Sequence, residues 1–310
     1  MTDSFLVIGP LQVDNLMACH PDIVMGYPMP TAIAGFGYKI GLDINKAIGT
    51  QAFTVTGTSI ILHEHSLKDG HAKHPPAHYT QNAGSIVDEF RARALLSFVV
   101  GLESHATSSQ EMQEHQDEAL SVMKSEAPGW LFGGGKVFPT SKSVYKAVDQ
   151  ETLAEEVGKL PAGHLLVDRR DVLETRIQET ACDPLDALLD LVQLTPVPAE
   201  TTNEEPDEKK KNVRPRMARL LPGWIVPVVV GYQSVEKPSL RGNHRSNGAE
   251  VPHVYAESLY SIAEYKPVRT LIAKEGEDFI EGSQWSHHHN PTSSTFYVSA
   301  LGPINTTENN

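Results

Sequence analysis

The first forty residues constrain the fold most, because they join a strand to a helix through a long connection. Residues 5–13 (FLVIGPLQV) are apolar and are followed by Asp14 and Asn15, which predicts a strand. Pro30 suits the first position of a helix, where no amide donor is needed, and apolar residues recur after it at helical spacing. The connection of roughly fifteen residues is long enough that we expect it to be functional or disordered.

Glycines in this helix and further along the chain resemble two nucleotide-binding motifs, but neither motif is complete. Gly35, Gly37 and Gly41 form GxGxxxG, one residue longer than the dinucleotide fingerprint and not directly after the strand. Residues 133–136 (GGGK) lack the first glycine and the final Ser or Thr of a P-loop. The simplest interpretation is a core helix that packs on a sheet through its glycines.

The first 140 residues predict the order β, α, β, β, α, β. Residues 51–64 and 86–100 alternate as strands do, and residues 130–139 predict a last strand interrupted by the glycine triplet. Between them, Ser108 and Glu111 form a capping box that opens an amphipathic helix to about Glu126. This order is typical of an α+β fold with a ferredoxin-like or RNA-recognition-like core.

The remainder predicts a helical insertion and a C-terminal strand extension. We expect helices at 150–159, 170–179 and 183–194, a strand at 220–232 with Pro227 at an edge or a bulge, a helix at 251–265 and a hairpin at 283–301. The predicted units are a core at 1–145, a helical insertion with a mobile acidic and basic loop at 146–219, and C-terminal strands that complete the fold at 220–310.

Charge is segregated along the chain. The formal net charge is −13, yet residues 209–245 hold nine Lys or Arg and one Glu, a net +8 that leaves −21 on the rest. A basic region on an acidic body suits an anion held in one groove, although a solvated charge run fits residues 209–211 alone.

No 18-residue apolar run, signal peptide or cysteine pairing motif is present, so we expect a cytoplasmic protein without disulfides, membrane contact or thiolate zinc.

Three groups of residues suit contacts with RNA. Arginines alternate with apolar residues in the strand at 86–100, glycines at 133–135 let a backbone approach closely, and residues 237–248 are basic. The candidate RNA-binding residues are Arg91, Arg93, Gly133, Gly134, Gly135, Lys136, Arg241, His244 and Arg245.

Histidines cluster at positions 63, 65, 71, 74 and 78, and again at 287–289. His63 and His65 are predicted on one face of a strand, and the next three in a proline-containing loop. No acid or thiolate stands at a ligand spacing, so we predict no metal site; the loop contacts phosphate or nothing. The triplet fits strand residues that alternate in and out. Neither a catalytic residue nor a cofactor is expected.

Several short blocks in this order resemble one known family. They are GYPMPTAIAGFGY, the glycine triplet with Pro139, PLDALLDL, LPGWIVPVVVGY, ESLYSIAEY and QWSHHH. Together they resemble the Csy-two family, the Cas-five-type subunits of type I-F CRISPR surveillance (Csy, or Cascade) complexes. That family follows its first strand with Asn-x-Asn; here Asn15 matches, but Met17 stands in the second position.

The resemblance implies a non-catalytic subunit of an antiviral ribonucleoprotein. Such a subunit binds the five-prime handle of the guide RNA, in part through Asn15, pairs with the large subunit, and meets the backbone subunits. Target DNA is then contacted indirectly. Two alternatives stay open: a guide-processing endoribonuclease of the same superfamily that uses His20 or His63, and a scaffold that binds protein only.

Overall fold

The protein, seen here in a computed structural model, is an α+β molecule built on one large antiparallel sheet. The structure describes residues 4–20, 24–26, 28–68, 90–197, 216–240, 252–290 and 294–303. Within these ranges the main sheet has ten strands. No helix among the described residues is both long and apolar enough to cross a membrane.

The strands and helices follow one another along the chain with these bounds. The strands are β1 (Ser4–Met17), β2 (Cys19–His20), β3 (Val24–Met25), β4 (Phe53–Lys68), β5 (Arg91–Ser104), β6 (Leu131–Phe132), β7 (Gly135–Val148), β8 (His164–Asp168), β9 (Thr195–Val197), β10 (Arg216–Ala218), β11 (Trp224–Ser234), β12 (Ala256–Pro267), β13 (Ser286–Asn290) and β14 (Thr295–Ser299). The helices are α1 (Pro30–Ile48), α2 (Ser109–Glu126), α3 (Gln150–Gly158), α4 (Arg170–Thr180), α5 (Pro184–Val192) and α6 (Val268–Glu275).

Long elements of the first half appear in the predicted order, β1, α1, β4, β5, α2 and β7. In the sheet the four strands lie side by side as β4-β5-β1-β7, and every neighbouring pair is antiparallel. Residues 130–139 are not one interrupted strand as predicted. They form the β6–β7 hairpin, which turns at Gly133 and Gly134 with φ angles of 52° and 75°.

Helices α1 and α2 cover one face of these four strands. Phe36 of α1 packs among Phe98, Trp130 and Phe132, with ring centroids 4.6 to 5.4 Å apart. Helix α1 begins at Pro30, as predicted, and α2 is capped by Ser108, whose Oγ accepts a hydrogen bond from the amide of Glu111 at 3.1 Å. This face therefore carries the main hydrophobic core.

Part of the opposite face is covered by a second core. Val7 and Val99 of the sheet pack there with Leu153 and Val157 of α3 and with Leu271 of α6. These helices cover only the half of the sheet near the start of β1. The half near the end of β1 carries no helix in the described part of the chain, and its outward side chains are at least partly exposed.

In the second half one predicted helix is wrong, and other elements were missed. Residues 251–265 were predicted as a helix, but β12 is a strand between β11 and β8. Its apolar residues at 259, 260, 262, 263 and 265 fit helical spacing equally well, and pairing on both sides decides in favour of the strand. Strand β8 and helix α6 were not predicted at all.

Other second-half predictions are confirmed. Helices α3, α4 and α5 lie where predicted, with Asp183 capping α5 and Pro184 at its first position. Strands β13 and β14 form the predicted hairpin. Pro227 lies in the part of β11 that pairs with β12 alone, because β14 pairs only with residues 231–233 of β11. The mobile loop was predicted to begin at Thr195, but Thr195–Val197 form β9, paired with β10; the rest of the predicted loop lies outside the described residues.

Candidate nucleic-acid interface

One end of the sheet brings together charged side chains that are far apart in the sequence. We call it the sheet-end surface; it consists of Asp14, Asn15, Lys68, Arg91, Arg93, residues 133–136 and Phe138. The pairings of Asp14 with Lys136, Met17 with Arg91 and Lys68 with Arg91 align the ends of four strands, β7, β1, β5 and β4. The surface lies on the half of the sheet that α3 and α6 leave uncovered.

Arg93 and Asp14 form the central ion pair of this surface. Arg93 Nε donates to Asp14 Oδ1 at 2.5 Å, and Nη2 donates to Oδ2 at 3.4 Å. The hydrogen bond from Arg93 is the main reason that the pKa of Asp14 lies below its ordinary value. The Arg93 side chain is still 55% exposed, so the pair contributes little to stability and leaves the guanidinium within reach of a ligand.

Arg91 and Asn15 lie beside this pair. The register between β1 and β5 shifts between Val13 and Leu16, and Asn15 takes a left-handed φ of 64°, which Asn tolerates better than most residues. Arg91 Nη1 donates to the carbonyl oxygen of Asn15 at 3.3 Å. The irregularity thus takes the exposed Asn15 out of the regular ladder and places its carbonyl oxygen beside Arg91.

The glycine turn of the β6–β7 hairpin packs against the end of β1. The carbonyl oxygen of Gly133 accepts from the amide of Met17 at 2.9 Å. A Cβ on Gly135 would lie 2.7 Å from the Asp14 carbonyl oxygen and 2.8 Å from the Leu16 amide nitrogen. Contact with β1 therefore requires glycine at 135, whereas Gly134 is exposed and is the position where another backbone can approach.

Lys136 and Phe138 complete the surface on β7. Lys136 Nζ lies 5.5 Å from the centroid of the Phe138 ring, and the Phe138 side chain is 40% exposed. Lys136 forms no ion pair with any residue that the structure describes. A cation over an exposed aromatic ring offers both phosphate attraction and a platform for base stacking.

Comparison with known proteins identifies the family. Residues 6–298, nearly the whole chain, match the family described as CRISPR-associated protein (Cas_Csy2). The chain belongs to the Csy2 family. The resemblance predicted from the short sequence blocks is thereby confirmed.

One relative of the Csy2 family shows how far the likeness extends. The CRISPR-associated protein Csy2 of Pseudomonas aeruginosa (strain UCBPP-PA14) is 23% identical over 321 residues. The match covers 93% of this chain and 93% of the relative. The chain therefore spans almost the full length of a Csy2 protein.

Seven of the ten residues proposed from sequence lie together in this Csy2 family member. They are Asn15, Arg91, Arg93, Gly133, Gly134, Gly135 and Lys136. Arg241, His244 and Arg245 lie outside the described residues. Sequence reasoning missed Lys68, Asp14 and Phe138. The position of Phe138 two residues after Lys136 in a strand was a signal, since side chains i and i+2 share a face.

The histidines were only partly placed by sequence. His63 and His65 were predicted on one face, but the register shift between Leu62 and Glu64 separates them. His63 Nε2 lies 2.7 Å from Ser97 Oγ and Nδ1 lies 3.2 Å from the Ala162 carbonyl oxygen, whereas His65 pairs with Ala94 on the helix-covered face. Both ring nitrogens of His63 are therefore occupied by structural contacts.

The remaining histidines of the two clusters lie partly in β13 and partly outside the described residues. Positions 71, 74 and 78 lie outside the described residues. Residues 287–289 alternate in exposure along β13, as predicted, and His287 stacks on Phe296 at 5.4 Å. In the described ranges, no group of three or more His, Cys, Asp or Glu could hold a metal ion.

Proposed function

We propose that the protein is a non-catalytic, RNA-binding subunit of a type I-F surveillance complex. In this proposal the sheet-end surface binds the five-prime handle of the guide RNA. The subunit pairs with the large subunit and meets the helical backbone, so that it contacts target DNA indirectly. The convergence of seven predicted contact residues at one uncovered sheet end, in a Csy2 family chain, carries the proposal.

The arrangement of the first 148 residues supports a ferredoxin-like, RNA-recognition-like core. The strand order β4-β5-β1-β7, with antiparallel neighbours and both α1 and α2 on one face, is the arrangement that a βαββαβ chain of this fold adopts. Sheets of this kind bind single-stranded RNA on the face opposite the helices. The proposed divisions fall at 145 and 219, although β7 extends to Val148 and β8 of the middle segment joins the main sheet.

Side-chain chemistry at the sheet end supports RNA rather than protein as the ligand. Lys68, Arg91, Arg93 and Lys136 face one central carboxylate, Asp14, in a chain whose net charge is −13. Phosphates attract such a local excess of cations, and the partly exposed Phe138 ring can stack on a base. Glycine at 134 lets the RNA backbone approach without a Cβ in the way.

An apolar surface on α5 supports the proposed protein partners. Leu185 and Leu189 are one helical turn apart and are 57% and 48% exposed, although Ala187, Leu188 and Leu191 of the same helix are buried. A helix that is apolar on its outward face as well suits association with another subunit.

RNA titration of an Arg93→Ala, Lys136→Ala double variant tests the function. We expect weaker binding of repeat-derived RNA with a five-prime handle, measured by fluorescence anisotropy at several salt concentrations. The slope of log affinity against log salt should become shallower by up to about 1.4, since each lost phosphate contact on a single strand changes it by about 0.7. The matched control, Lys124→Ala with Lys274→Ala, removes two exposed cations from helices elsewhere and should keep the wild-type slope.

The same titration separates the alternatives. Cleavage of the RNA during incubation would favour the processing ribonuclease, and the absence of salt-dependent RNA binding would favour the protein-only scaffold. Arg241, His244 and Arg245 remain proposed RNA contacts. A triple alanine variant at these positions forms a separate arm, in which we expect a further loss of affinity.

A further inference from the structure

A second group of cations surrounds a cleft between β7, α3 and α6. The cleft has a volume of about 530 Å³, within the range of ligand-binding sites. Its floor includes Pro10, Val144 and the buried Leu160. Its charged lining residues are Lys142 and Lys146 of β7, Glu156 of α3, Lys159 directly after α3, and Arg269 of α6.

Glu156 holds two of these cations in place. Lys146 Nζ donates to Glu156 Oε2, and Lys159 Nζ donates to Glu156 Oε1 at 2.7 Å. These hydrogen bonds, that from Lys146 first, hold the pKa of Glu156 below its ordinary value. Lys159 also pairs with Glu155 at 2.6 Å. The half-buried Glu156 therefore fixes two ammonium groups at the wall of the cleft, and Glu155 and Glu156 together balance their charge.

Lys142 and Arg269 leave the cleft with excess positive charge. Lys142 and Arg269 are both exposed, and neither forms an ion pair within the described part of the chain. Glu155 and Glu156 balance Lys146 and Lys159, so the excess positive charge of the lining comes from Lys142 and Arg269. Like charges gathered in one place destabilise a fold, so a purely structural role does not account for this set. A bound polyanion would account for it.

The cleft is continuous with the sheet-end surface along β7. Lys146 pairs with Val7, whose side chain packs under α3, and Lys136 pairs with Asp14 on the same side of β1. Lys136, Phe138 and Lys146 thus lie on one face of the sheet, and Lys142 lies between them in the irregular stretch of β7 from Pro139 to Val144. Asp14 and Val7, the partners of Lys136 and Lys146, are separated along β1 by roughly 23 Å at about 3.3 Å per residue, the scale of a single-stranded segment of several nucleotides.

We propose that this cleft, lined by Lys142, Lys146, Lys159 and Arg269, binds phosphate groups of a single-stranded nucleic acid that continues from the sheet-end surface along β7. The proposal rests on the proposed RNA-binding function, because that function sets the end of β7 from which the nucleic-acid strand enters the cleft. The planar guanidinium of Arg269 can accept a phosphate with two parallel hydrogen bonds, while the lysines act as point charges around it.

A Lys142→Ala, Arg269→Ala double variant tests the cleft. With a single-stranded RNA of about 16 nucleotides, we expect weaker binding and a salt slope shallower by up to about 1.4. The Lys142→Arg, Arg269→Lys variant keeps both charges and should retain most of the affinity. The Lys124→Ala, Lys274→Ala control should bind as the wild type does. The melting temperature of the cleft variant should stay the same or rise, because repelling cations are removed.

Three results would overturn the proposal. One is an unchanged salt slope in the cleft variant. Another is a lower melting temperature that accounts for the loss of binding and is shared by the charge-preserving variant, which would make the role structural. The last concerns free phosphates: if ATP or inorganic phosphate raises the melting temperature of the wild type but not of the cleft variant, while RNA binding is equal, the cleft binds small phosphates instead.

The two double variants separate this proposal from the function on which it rests. If only the cleft variant weakens RNA binding, the assignment of the sheet-end surface fails and the cleft stands. If only the Arg93→Ala, Lys136→Ala variant weakens it, the cleft fails and the proposed function stands. If neither changes RNA binding, both fail.

Discussion

His63 illustrates how neighbours far along the chain decide what a side chain can do. Its Nδ1 donates to the Ala162 carbonyl oxygen and its Nε2 accepts from Ser97 Oγ, an arrangement that suits the neutral ring. Burial lowers the pKa of His63 below its ordinary value of 6.5, although the nearby Glu64 acts in the opposite direction. Such a ring suits a structural role better than that of a general base.

Stability should therefore depend on pH through His63. Below about pH 6.5 the unfolded chain binds a proton at this residue that the folded chain does not, so the free energy of unfolding falls as the pH falls. Urea denaturation between about pH 7.5 and about pH 5.5 should show a smaller fall for His63→Gln than for the wild type. His289→Gln, at an exposed position, should keep the wild-type dependence. An equal fall in His63→Gln and the wild type would contradict this role.

Helix α1 shows how one element depends on small residues in contact with another. A Cβ on Gly37 would overlap Thr58 Oγ1, and a Cβ on Gly41 would lie 2.5 Å from Val55 Cγ2; both neighbours belong to β4. Gly35, two residues before Gly37, has nothing within 4 Å of its Cβ position. The predicted packing of the helix through its glycines is confirmed for Gly37 and Gly41 and is wrong for Gly35.

Two alanine substitutions in α1 should consequently have opposite effects. Gly37→Ala overpacks the contact with the fully buried Thr58 and should lower the free energy of unfolding by about 1–3 kcal/mol. Gly35→Ala gains helix propensity and should raise it by up to about 1 kcal/mol. Urea denaturation of both variants measures the difference. Equal effects would show that β4 moves away from α1 at little cost.

Across the whole molecule, the C-terminal segment joins the N-terminal strands in one core. Trp285 is fully buried; its amide donates to the Thr58 carbonyl oxygen at 3.0 Å and its Nε1 donates to the Leu166 carbonyl oxygen at 3.1 Å. Ser59 Oγ lies 2.8 Å from Ser283 Oγ in the same region. The last strands are therefore not an independent attachment to the predicted core.

Trp285→Ala should destabilise the whole protein, not only its C-terminal strands. We expect a loss of about 3–5 kcal/mol, from a large buried cavity, and a smaller loss for Trp285→Phe. Circular dichroism and the fluorescence of the remaining tryptophans should report one coincident transition in urea. Two separate transitions in the wild type would show that the C-terminal strands unfold on their own.

Local signals were sufficient for much of the secondary structure. Pro30, Ser108 and Asp183 marked helix starts, and alternation marked β4 and β5, because caps and side-chain periods depend on residues close in sequence. The arginines of β5 and the glycines before Lys136 were likewise visible as candidate RNA contacts. The order of several short blocks was enough to identify the Csy2 family.

Only the tertiary structure decided which of these residues meet. Arg93 and Asp14 are 79 positions apart, and no sequence period connects them. The register shift that separates His63 from His65, the pairing that makes β12 a strand, and the cleft of lysines around Glu156 all depend on neighbouring strands and helices. Sequence spacing determines the period of each element, whereas the sheet order and its irregularities determine which faces come together.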